Sequence, residues 1–201
     1  TITATQSGSV TGSYQLQFYL TMSANPSGEG SVSPNSGWYD AGASVQISAT
    51  ANTGYAFSSW TGSGSGSYSG TSNPATVTMD SAITETANFL PVYTVVFSTN
   101  GLGSIAQGTV LTVNGTSYTY SQLPVTYSVA SGQTLTYSWS SPVPGGSGIQ
   151  FVWASGSGLD SAQSGSFVAT QSGNVIATYQ TQYYLTMQVN PSGSGTVSPA
   201  S

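Results

Sequence analysis

The chain has no lysine, no arginine, no histidine and no cysteine among its 201 residues. Each absence excludes a class of function. Nucleic-acid binding draws its affinity from Lys and Arg set against phosphates, and attraction to anionic membrane surfaces uses the same side chains, so neither is expected. Without Cys there are no disulfides and no thiolate metal sites. Without His, Lys or Cys, no base is available to activate the many Ser hydroxyls as nucleophiles. Missing Lys also excludes Lys–Asn and Lys–Asp isopeptide crosslinks. No run approaches the ~18 apolar residues of a spanning helix, so no membrane insertion is expected in this segment.

Charge is nearly absent. Glu29, Asp40, Asp80, Glu85 and Asp160 supply all of it, for a net charge of −5. A carboxylate pair could do acid–base work, but these five lie far apart and none sits in an Asp-Thr-Gly or Asp-Ser-Gly element. Asp40, Asp80 and Asp160 could offer oxygen ligands to Ca²⁺, yet no loop spaces them as a ligand set. Turn chemistry, in which Asp bonds its own backbone, accounts for them more simply. The expectation is a protein that is not an enzyme, with no cofactor and no metal. With few carboxylates and no side-chain cation to pair with them, stability should be nearly indifferent to pH and salt.

What is present is Ser and Thr, about a third of the residues, and aromatic residues at 11%. The apolar residues fall in alternating runs, which argues against disorder. In YQLQFYLTMSA, Tyr14, Leu16, Phe18, Leu20, Met22 and Ala24 face one way and the polar residues the other, the period of a half-buried strand. Asn25-Pro26-Ser27-Gly28 then has turn chemistry. Further strands are expected at 29–33, 43–49, 55–60, 75–79 and 82–89, with a flexible Gly/Ser loop at 62–70. After Leu90-Pro91 a second set follows at 92–97, 110–120, 124–129, 133–139, 149–153 and 166–170. Loops are expected at 145–148 and 155–158. Asn114-Gly115 between two β-rich runs is the type I′ hairpin signature. No helix is signalled. The fold class is all-β, as tandem small β-sandwich or β-sheet modules in a rod-like array.

The chain repeats itself. Residues 1–36 align with 166–201 without a gap, at an offset of 165 and with 22 identities in 36 positions. ATQSG at 4–8 recurs at 169–173, and YLTM at 19–22 recurs at 184–187. Self-similarity at a fixed period marks a repeat architecture, here of whole modules. The expected organisation is 1–13 as the end of a preceding module, 14–90 as one β module, 91–178 as a second, and 179–201 as the start of the next repeat. The seams carry no flexible chemistry. NVIATYQTQYYLTMQ, 174–188, contains neither Gly nor Pro, so one strand should close the second module and open the next copy of the first.

Gly28-x-Gly30-x-Val32, Gly42-x-x-Val45-x-Ile47-x-Ala49, Gly54-Tyr55-x-Phe57-x-x-Trp60-x-Gly62, Ala75-x-Val77-x-Met79 and Ala87-Asn88-Phe89 together resemble the divergent internalin-type B-repeat, over about 18–89. That family occurs in long, repetitive bacterial and archaeal surface proteins. The resemblance implies a small β-rich module serving as stalk or spacer, extracellular or on the cell surface, with no catalytic residues. The expected function is a structural repeat unit of an extracellular filament. A carbohydrate-binding or adhesive surface module is one alternative. A pilus-like subunit polymerising by terminal strand exchange is another.

Two kinds of candidate site remain. Asn114-Gly115-Thr116 could carry an N-glycan, or could be hairpin chemistry alone. The other Asn-x-Ser sites, at Asn25 and Asn190, are blocked by Pro26 and Pro191. Trp38, Tyr39 and Trp153 could form a sugar-stacking face, against the simpler reading of core and cross-strand packing. The expected partners are other copies of the repeat, end to end or in lateral bundles, and glycans.

Overall fold

The computed structural model describes residues 8–9, 11–190 and 195–196. The chain divides into two units, 1–91 and 92–201. Both are built from β-strands, with one 3₁₀ turn at Tyr120–Gln122 and no α-helix among the described residues.

The first unit packs two sheets. One holds β1 (Gln17–Asn25), β3 (Gly37–Asp40), β5 (Tyr55–Ser63) and the first half of β7 (Ile83–Asn100), in the order β5-β7-β1-β3. The β1–β7 pairing is parallel and the other two are antiparallel. The second sheet is antiparallel, β2 (Gly30–Ser33), β4 (Ser44–Ala51) and β6 (Ala75–Thr78), in the order β2-β4-β6. Alternation puts Leu20, Met22, Ile83, Ala87 and Phe89 of one sheet against Val45, Ile47, Ala49, Ala75 and Val77 of the other. Trp60 lies buried among them, and truncating it to Ala would cost about 3–5 kcal/mol. Gly30 is required by this core, because a Cβ there would run into the Phe89 ring.

The second unit repeats the two-layer plan with different strands. The second half of β7 pairs with β10 (Val125–Ala130) on one side and β15 (Gly173–Tyr183) on the other. β13 (Ile149–Gly158) and β12 (Val143–Pro144) continue that sheet. The facing sheet is β14 (Ser164–Val168), β11 (Thr134–Trp139), β8 (Leu111–Val113) and β9 (Thr116–Tyr118). The core gathers Val95, Phe97, Val175, Ala177 and Tyr179 against Leu111, Val113, Leu135, Tyr137 and Trp139.

Several expectations need correction. The Gly/Ser stretch 62–70 is held in place. The Tyr68 N–H donates to the Glu85 carboxylate, and Trp60 and Gly70 exchange two backbone hydrogen bonds. ASGSG at 154–158 is strand rather than loop, since β13 passes a bulge at Trp153/Ser155 and continues along β15 to Gly158. β3 and β12 were not expected from sequence. Leu90-Pro91 does not end a strand, because β7 runs through it for 18 residues.

Candidate functional site

The seams carry the most informative geometry. β7 belongs to both units. Ile83–Asn88 pairs in parallel with Leu20–Asn25 of β1, and Val95–Asn100 pairs in parallel with Gly173–Thr178 of β15. Its inward positions keep one phase throughout: Ile83, Glu85, Ala87 and Phe89, then Val95 and Phe97, are all buried. Pro91 lacks an N–H, and it sits where the antiparallel partner changes from β5, ending at Tyr55↔Pro91, to β10, beginning at Ala130↔Val92. A residue without a donor is tolerated where a ladder changes hands.

The duplicated sequence is described in two environments. Tyr179 is 3% exposed and its hydroxyl donates to the Ser140 carbonyl at 2.8 Å, whereas its equivalent Tyr14 is 99% exposed. Leu20 is fully buried in the first unit, whereas its equivalent Leu185 is 61% exposed. β15 ends at Tyr183, with Tyr184 N–H still donating to Gly148 O. Of the segments expected to belong to neighbouring modules, residues 1–7, 10, 191–194 and 197–201 lie outside the described residues.

The candidate aromatics separate. Trp38 is exposed on β3 and meets Tyr19 directly across the β1–β3 pair, edge to face with centroids 5.2 Å apart. Tyr39, next along the strand, turns toward the core of the first unit. Trp153 belongs to the second unit, half-buried against its core. The exposed aromatic pair is therefore Tyr19–Trp38. Tyr19 was passed over in sequence because it stands on the polar side of an alternating strand. Beside it runs a polar ladder: Ser23 Oγ lies 2.9 Å from Thr86 Oγ1, Asn25 Nδ2 donates to Asn88 Oδ1 at 3.2 Å, and Asn88 Nδ2 donates to Thr61 Oγ1 at 2.9 Å.

Asn114 occupies the β8–β9 turn at φ 47°, followed by Gly115 at φ 80°, as a type I′ turn requires. It is exposed, but its Oδ1 is engaged, accepting from Thr136 N at 2.9 Å and from Thr136 Oγ1 at 3.2 Å. The atom that would bear a glycan is the other one, Nδ2.

Among the described residues, Glu85 is the one buried charged side chain. It stands on β7 opposite Gly62, where any Cβ would strike the carboxylate and the Tyr68 carbonyl. Oε1 accepts the Tyr68 N–H, while Oε2 is buried with no hydrogen-bond partner. Burial pushes this carboxyl above the usual range, and the Tyr68 bond opposes that in part. Elsewhere, Asp160 Oδ1 accepts from Ala162 N at 3.1 Å, a turn role, and Asp40 accepts from Gln17. Among the described residues no three acidic groups gather where they could hold a metal ion. Among the described residues no helix is long and apolar enough to cross a membrane.

Neither a curated protein nor a solved structure matches the chain significantly. A family match does exist, and it falls on the first unit together with the start of β7's second half. The motif residues of that unit have the structural roles just described: Gly30 against Phe89, Trp60 in the core and Gly62 making room for Glu85. Residues 20–92, nearly all of them in the first unit, match the divergent InlB B-repeat domain.

Proposed function

We propose that the chain is a structural repeat unit of an extracellular filament, stalk or surface fibre, and that it is not catalytic. The observation that carries this is the 36-residue duplication at an offset of 165, whose first copy contains β1 and whose second contains β15. A B-repeat of a surface-protein family in the first unit supports the location. The absence of any side-chain base beyond five scattered carboxylates supports the lack of chemistry. Modules joined by strands, without Gly/Ser linkers, suit a stiff rod. Immunogold labelling of intact cells tests the reading. Label along external filaments or on the surface is expected, and label confined to the cell interior would end it.

A second reading has one observation in its favour. Tyr19 and Trp38 form an exposed aromatic pair of the kind that stacks on sugar rings. A carbohydrate-binding or adhesive module would lose polysaccharide binding on Trp38→Ala, with its thermal unfolding little changed. A purely structural module would bind no polysaccharide in either form.

A further inference from the structure

We infer that residues 173–190 form one unbroken strand whose last part, 185–190, is the first strand of a following copy of the B-repeat, seated between that copy's β3 and β7. This deepens the repeat-unit reading and rests on it. The occupant is a second copy of the first unit, and three observations identify it.

First, the strand limits join. β15 is Gly173–Tyr183, and β1, moved forward by the 165-residue offset, covers 182–190. The two overlap at Gln182 and Tyr183. Their union from Gly173 to Asn190 has 18 residues, the length of β7.

Second, the alternation holds. Val175, Ala177 and Tyr179 face the second unit's core. The same odd-numbered phase continues through Leu185, Met187 and Val189. Their equivalents Leu20, Met22 and Ala24 face the first unit's core. A register slip of one residue would reverse every one of these. β7 shows the same design, with a buried stretch at each end and half-buried Pro91 and Tyr93 on that face between them.

Third, Leu185 is bare where its equivalent Leu20 is fully buried. The residue has the sequence of a core position and lacks its core. Among the described residues, the site it fits is the one already filled by β1, between β3 and β7.

The consequence is a handover of strands. β7 is paired in parallel with β1 in one unit and with β15 in the next. The 173–190 strand would be paired with this β7 at its start and with the following copy's β7 at its end. Each crossing strand then spans one seam and is fixed by backbone ladders on both sides of it. By the same argument, Tyr14 completes the sheet of a preceding copy, beside that copy's equivalent of Trp153, as Tyr179 does here.

The test uses a two-period chain, residues 1–201 continued by a second copy of 37–201, compared with the 201-residue chain. Amide exchange at Leu185, Thr186, Gln188 and Val189 should be fast in the shorter chain and slowed by about 100-fold or more in the two-period chain. In the register of Ser23↔Thr86, Gln188→Cys paired with Thr86→Cys in the second copy should close a disulfide, since such neighbours lie within bridging reach. Thr186→Cys with the same partner should not, being two residues out of register. No other cysteine is present to confuse the product. Unprotected amides at Leu185, Thr186, Gln188 and Val189 in the two-period chain, with 83–88 protected in both copies, would overturn the inference. So would equal crosslinking of the two cysteine pairs. Neither outcome touches the surface-fibre reading, which the labelling of cells decides independently.

Discussion

The backbone N–H of Tyr68 donates to Glu85 Oε1 at 2.6 Å, tying a Gly/Ser-rich loop to the only buried carboxyl among the described residues. Burial raises the Glu85 pKa in the folded state. A carboxyl raised in this way adds stability that is fully present below its unfolded pKa and is lost as pH rises through the folded value. The first unit should therefore unfold at a higher temperature near pH 4 than near pH 8, the reverse of ordinary acid unfolding. Glu85→Gln should flatten the profile and raise the midpoint at pH 8. Thermal unfolding of both forms across that range is the check. A wild-type midpoint that rises with pH would contradict the buried-carboxyl account. Composition alone suggests indifference to pH, and the buried Glu85 carboxyl departs from it; with no side-chain cation to pair with, ~1 M NaCl should leave both forms unchanged.

The same loop makes a prediction about glycine. Gly66 has φ 87°, and a Cβ there would strike the Thr78 carbonyl. Gly66→Ala should cost about 2 kcal/mol or more, from backbone strain and the clash together. Gly28 has nearly the same φ but open space around it, so Gly28→Asn should cost under about 1 kcal/mol. Urea denaturation of the two variants measures the difference. Equal losses would mean that the 62–70 loop is not held against β6.

At the β8–β9 hairpin, stability and glycosylation are separable. Asn114→Ala removes both the left-handed turn preference and the two bonds accepted from Thr136, and should cost the second unit about 1–2 kcal/mol. Thr116→Ala destroys only the sequon and should change stability by under about 0.5 kcal/mol. Intact mass of the native protein then reports the glycan, with a loss expected in both variants. A native mass equal to the bare polypeptide would show that Asn114 serves the turn alone.

How much of this could be read from the sequence varied with the kind of contact. Strands such as β1 and β4 announced themselves, because Leu20, Met22, Val45 and Ile47 alternate with polar residues. Glu85 was half legible. Ile83, Ala87 and Phe89 set a phase that turns position 85 inward, but its partner Tyr68 arrives from a stretch whose composition reads as linker. β13 beyond Trp153 was illegible, since Ser155–Gly158 carries no strand propensity and is held by the β15 backbone. β3 was missed because Gly37–Asp40 is four residues with no period. Pro91 read as a boundary, and the structure places it inside β7, at the point where that strand changes partners. The Tyr19–Trp38 pair needed the β1–β3 register, which no local pattern encodes.

Stiffness should reside in the seam strands. Inserting Gly-Gly-Ser after Tyr179 interrupts the strand between the part that pairs with β7 and the part leading to Leu185. Filaments carrying the insertion should be visibly bent or kinked by electron microscopy, with each unit still folded by circular dichroism. Filaments as straight as the unmodified ones would contradict the continuous-strand account.

The central claim, that this chain is one period plus 36 residues of a longer structural array, is tested most directly by denaturing electrophoresis of the native assembly. Covalent repetition at a 165-residue period predicts a single species far larger than 20.4 kDa that survives boiling in detergent. A ladder resolving to a band near 20.4 kDa would contradict it, and would assign the joints to strand exchange between separate chains.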